Sequence, residues 1–192
     1  DTKTIAEAAR TQADNTNKMA EAAIEQVQEL KANVRIAQEA NNSTRDALIL
    51  DKRAWVGIKS MRIQTFEVGR PVDVVMVLTN SGKTFARQVV TVAHKATGRK
   101  DVVLDFDQMA KLLPAKPEQP KVLFPNLTVS VTPSTSYNLS ESQFAAIKNH
   151  EQIFYIFGQI TYTDVFNENR VTEFCGMYDG NNPELYLCDQ HQ

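Results

Sequence analysis

The 192-residue chain has no run of eighteen apolar residues, so no stretch of it is an apolar helix of bilayer length, and its N-terminus lacks the apolar centre of a signal peptide. It begins at Asp1 rather than Met, from which we expect a trimmed or processed product. An excess of one charge is also missing. The 21 basic and 23 acidic residues leave a net charge of −2, and Lys and Arg are scattered, so no nucleic-acid partner is expected.

Chemically active residues are few. The three histidines, His94, His150 and His191, fall in a predicted strand, at a helix end and in the tail, and no two have the spacing of a ligand pair. There is no Gly-x-Ser-x-Gly elbow, and neither cysteine shares a motif with a His. Gly82-Lys83-Thr84 is like the end of a phosphate-binding loop, but Val77 stands where that loop needs its first glycine, and a strand pattern follows instead of a helix. The simpler assignment is a hairpin turn in which Gly82 takes positive φ. Asp101, Asp105 and Asp107 form an acidic patch without the ligand order or glycine of a calcium loop, which leaves a solvated loop. Asp164 and Glu168 flank a turn, where acidic residues are common. These absences nominate no catalytic residue, no metal ligand and no cofactor, and the expected protein is not an enzyme.

What is present divides at about residue 52. Residues 2–52 are rich in Ala, Glu, Gln and Asn and contain neither Pro nor Gly, which predicts one long helix. A heptad fits it. Ala6, Ala13, Ala20, Val27, Val34, Asn41 and Leu48 take one seam position, and Ala9, Thr16, Ala23, Leu30, Ala37 and Thr44 take the other. The firm grip lies at Val27, Leu30 and Val34, and Asn41 has the place of a register-setting polar residue. Self-association through this seam stands beside a single helix whose last turns pack on the following domain. Asn41, Asn42 and Ser43 also offer a new cap and a break.

From Arg53 to Ile58 the pattern turns from helix to strand, with the single Trp, Trp55, placed to wedge the helix end against a sheet. Alternating apolar residues predict strands at 72–79, 85–96 and 127–131, and residues 106–113 a short helix that ends in a proline-rich loop. Ser140 and Gln143 have capping-box spacing and open a further short helix ending near His150. Residues 151–175 read as a β-hairpin whose first arm, 153–157, is apolar on both faces. The expected fold is α+β. A long helix (1–52), with a coiled coil as one of its two readings, precedes an immunoglobulin-like β-sandwich (53–192) with one or two short helices, although the Cys, Trp, Cys spacing of immunoglobulin domains is absent. Cys175 and Cys188 are close enough in sequence for a disulfide, with two reduced thiols as the alternative.

The stretches Arg53-Ala54-Trp55-Val56-Gly57, Asn80-Ser81-Gly82-Lys83-Thr84-Phe85-Ala86, Tyr162-Thr163-Asp164-Val165-Phe166 and Phe174-Cys175 resemble a family of uncharacterised bacterial envelope proteins. In that family a transmembrane helix precedes an alanine-rich helix and a β-rich domain with a second cysteine near a His, here Cys188 and His191. The likeness covers nearly the whole chain. It departs at Phe85, where the family has Pro, and in the transmembrane segment, which these residues do not include. It implies a location on the periplasmic side of the inner membrane and no particular activity. The expected function is that of a non-enzymatic, membrane-anchored envelope protein, with the helix as spacer or oligomerisation element and the sandwich as a module for a protein partner. Alternatives are a pilin-like filament subunit and a ligand-binding module with a site in the loops near residues 101–120.

Overall fold

The structure is a computed structural model in which residues 2–99, 105–112 and 117–188 are described. It divides into two compact units, residues 1–50 and 51–192.

Helix α1 (Thr2–Lys52) runs without a break through the Asn41-Asn42-Ser43 stretch. The Thr11, Thr16 and Thr44 hydroxyls donate to carbonyls four residues back, so these polar side chains are satisfied within the helix and do not compete with it. Apart from the half-buried Ile49, its large apolar side chains, including Ile24, Val27, Leu30, Val34 and Ile36, are exposed. No helix among the described residues is long and apolar enough to cross a membrane.

The second unit holds two antiparallel sheets. One has the order β1 (Val56–Thr65), β2 (Asp73–Asn80), β5 (Thr128–Val131). The other has the order β4 (Lys121–Leu123), β3 (Ala86–Arg99), β6 (Gln152–Thr163), β7 (Asn169–Tyr178), β8 (Tyr186–Leu187). Val74, Met76 and Leu78 of β2 share one core with Phe154, Ile156 and Ile160 of β6. Ile153, Tyr155 and Phe157 point to the other face of β6, where Phe106 of helix α2 (Phe106–Leu112) and both cysteines cover them. Residues 153–157 are therefore buried throughout because each face of the strand has its own core.

Residues 81–85 do not close a hairpin. They carry the chain from β2 in the first sheet to β3 in the second. Gly82 does not take positive φ, contrary to the expectation from the turn composition.

Four devices fasten the unit. Helix α3 (Glu141–Lys148) has a complete capping box: Ser140 Oγ accepts from Gln143 N–H, and the Gln143 side chain accepts from Ser140 N–H. Lys95 of β3 is buried, and its ammonium donates to the carbonyls of Val72 at 2.8 Å, Pro133 at 3.4 Å and Thr135 at 2.7 Å. Burial pushes this ammonium below its ordinary pKa, against the attraction of Asp73. Residues 183–185 lie on the outer edge of β1. Ile63 N–H donates to Pro183 O at 2.8 Å and Leu185 N–H to Met61 O at 3.0 Å, before β8 joins β7 in the other sheet. A disulfide joins Cys175 of β7 to Cys188 just after β8, with Cα atoms 5.4 Å apart.

Candidate functional site

A densely bonded polar feature is the junction where residues 51–55 lie on the crossover 80–84. Asn80 is fully buried and uses its whole amide. Its Oδ1 accepts from Trp55 N–H at 3.1 Å and from Gly82 N–H at 3.0 Å, while Nδ2 donates to Thr84 O at 2.7 Å and Leu123 O at 3.0 Å. Around it Ser81 N–H donates to Trp55 O, Thr84 Oγ1 to Lys52 O and Tyr162 Oη to Ala54 O. Lys83 pairs with Asp51 at the surface, and its hydrogen bond, followed by that of Lys52, holds the Asp51 carboxyl below its ordinary pKa. A Cβ on Gly82 would run into the Arg53 carbonyl and come to 2.5 Å from Trp55 N and 2.7 Å from Ala54 Cα. Close backbone approach is what requires glycine here.

Trp55 does not act as a core wedge. Ala54 and Val56 point inward, and strand alternation turns Trp55 out, leaving it 45% exposed. The Arg53 guanidinium covers its ring at 3.4 Å from the centroid, a cation–π stack. Trp55 contributes to the junction through its backbone. Beside it, Val56, Gly57, Ser81, Val171 and Thr172 line a shallow cleft of about 620 Å³.

A smaller cavity of about 130 Å³ lies beneath α2, between Phe106, Ala110 and the sheet residues His94, Phe157 and Gln159. Phe106 and Ala110 belong to the stretch 101–120 where the sequence suggests a loop site, and the rest of the lining comes from sheet residues. His94 stacks on Phe157 with ring centroids 5.5 Å apart, and burial raises the pKa of the nearby Tyr155 hydroxyl. His150 contacts Asp179 O through Nδ1 at 2.8 Å. Among the described residues no cluster of three His, Cys, Asp or Glu side chains could hold a metal. Asp101 and His191 lie outside the described residues, as does the Asp107 side chain, and Asp105 is exposed and accepts from Gln108 N–H.

Asp164 differs most from its sequence reading as an ordinary turn residue. It is fully buried, pairs with Arg170 Nε at 3.0 Å, and accepts from Phe166 N–H at 2.9 Å and Glu168 N–H at 3.1 Å. It fixes the β6–β7 turn. The Asp-x-Phe-x-Glu spacing carries an Asx-turn signal that could have marked it. The junction is hidden in the sequence for a different reason: Asn80 has the composition of a turn former, and its burial marks it as a hub.

The four residues assigned to self-association, Val27, Leu30, Val34 and Asn41, all lie on α1, with the three apolar ones 50%, 63% and 49% exposed. The chain matches no family model and no curated protein.

Proposed function

We propose that this chain is a non-enzymatic extracytoplasmic part of a membrane-anchored bacterial envelope protein, in which α1 serves as spacer and association element and the β unit as an interaction module. The observation that carries the location is the Cys175–Cys188 disulfide, since such bonds persist in oxidising compartments and are rare in the cytosol. The resemblance of the 53–57 and 80–86 stretches to envelope proteins supports the same place. The interaction role is supported by the exposed apolar residues of α1, because large apolar side chains grouped on one surface commonly mark a contact with another molecule.

The β unit fits an immunoglobulin-like sandwich of the Greek-key kind. Its two sheets pack on a common core, and the second and third strands belong to opposite sheets while the sixth pairs with the third. Modules of that type present loops and edges to partners, and the cleft beside Trp55 is where we place such a contact.

The test is protease accessibility in the producing cells. The protein should resist added protease in intact cells, be cleaved after the outer membrane is permeabilised, and sediment with membranes. Protection until the inner membrane is lysed would refute the assignment.

A further inference from the structure

Resting on the reading of α1 as an association element, we propose a definite geometry for it: α1 pairs with α1 of a second copy as a parallel, in-register, two-stranded coiled coil. With Val27, Val34 and Asn41 at position a and Leu30 at d, the charge pattern of the flanking positions becomes legible. The g positions are Ile5, Gln12, Met19, Gln26, Asn33, Ala40 and Ala47, and none is charged. The e positions are Lys3, Arg10, Asn17, Ile24, Lys31, Gln38, Arg45 and Lys52, and every charge among them is positive. All acidic residues of 2–50, from Glu7 to Asp46, fall on the outer b, c and f positions.

In a parallel pair each g side chain faces the e side chain five residues later in the other copy. Met19 then meets Ile24, Gln26 meets Lys31 and Ala40 meets Arg45, so no like charges face each other. Ile24 and Met19, both exposed on the single helix, add an apolar flank beside the thin alanine part of the seam. In an antiparallel pair with full overlap, e faces e. Lys3 would meet Lys52, whose ammonium also pairs with Asp51 at position d, and Arg10 would meet Arg45 with no acidic residue at the e or g positions beside them, each contact occurring twice. Opposed like charges discriminate against this arrangement. The number of strands follows from the seam. Valine at a with leucine at d favours two strands, and Asn41 can pair with Asn41 of the second copy only when the helices are parallel and in register.

The experiment uses the full chain. Val34→Cys places a thiol at the seam, where mild oxidation should give a covalent dimer at least about tenfold faster than Ala32→Cys on the outer f position, through the effective concentration of a paired site. Sedimentation equilibrium of the unsubstituted chain should give twice its 21.5 kDa mass. Dimer formation by a mixture of Val34→Cys and Ala23→Cys chains, but by neither alone, would mean antiparallel pairing and overturn the geometry while leaving self-association intact. A monomeric mass at high concentration would overturn the pairing itself and leave only the spacer role. The cell-location test stands apart from all of these outcomes.

Discussion

Asn80 Oδ1 accepts the backbone N–H of Trp55 across 3.1 Å, joining the start of β1 to the crossover that leaves β2. The same side chain donates to Thr84 O and Leu123 O. An aspartate there would keep the acceptor, lose both donors and set a carboxylate against two carbonyls in a fully buried site. We expect Asn80→Asp to lower the unfolding free energy by about 3–5 kcal/mol, read from denaturant melts. A loss below about 1 kcal/mol would mean that the buried amide is not the hub of the junction.

Gly82 and Gly57 make a matched pair. An alanine at 82 collides with the backbone of residues 53–55, whereas a Cβ at 57 meets nothing within 4 Å. Gly82→Ala should cost about 1–3 kcal/mol and Gly57→Ala less than about 1 kcal/mol. Equal effects at the two sites would remove the close-approach explanation.

Much of this architecture is legible in the sequence. The long helix follows from 51 residues without a breaker, and the strands follow from alternation at 72–79 and 127–131. The double-faced run 153–157 announces a strand covered on both sides. The assignment of strands to sheets was not legible. Asn80-Ser81-Gly82 has the composition of a hairpin turn, yet β2 and β3 fall in different sheets, so the segment is a crossover. Lys95 was equally silent, since its acceptors are backbone carbonyls at 72, 133 and 135, which no side-chain pattern records. The sequence predicts Trp55 as a wedge between the helix end and a sheet, whereas Ala54 and Val56 take the inward positions and Trp55 is turned outward.

Lys95 gives a pH dependence. Its folded pKa lies below the ordinary 10.5, so in the window between the two values the unfolded chain binds more protons. Stability from this group therefore rises as pH increases through the depressed folded value toward 10.5 and is lost as pH falls. Lys95→Met should abolish that alkaline gain. It should also cost about 2–4 kcal/mol at neutral pH by leaving three carbonyls without their donor. An unchanged alkaline slope in the variant would assign the gain to another group.

The disulfide closes a loop with a sequence separation of 13, worth about 3 kcal/mol in the chain-entropy model. Reductant should lower the melting temperature of the natural chain and leave that of Cys175→Ser/Cys188→Ser unchanged. If both respond alike, the reductant acts elsewhere.

The proposed placement of this chain outside the cytoplasm is tested most directly by trapping its thiols in living cells. Acid-quenched cells, alkylated with a mass-tagging maleimide before reduction, should yield the protein with no tags, and with two only when reduction comes first. Two tags without prior reduction would show Cys175 and Cys188 as free thiols in the cell and contradict the account.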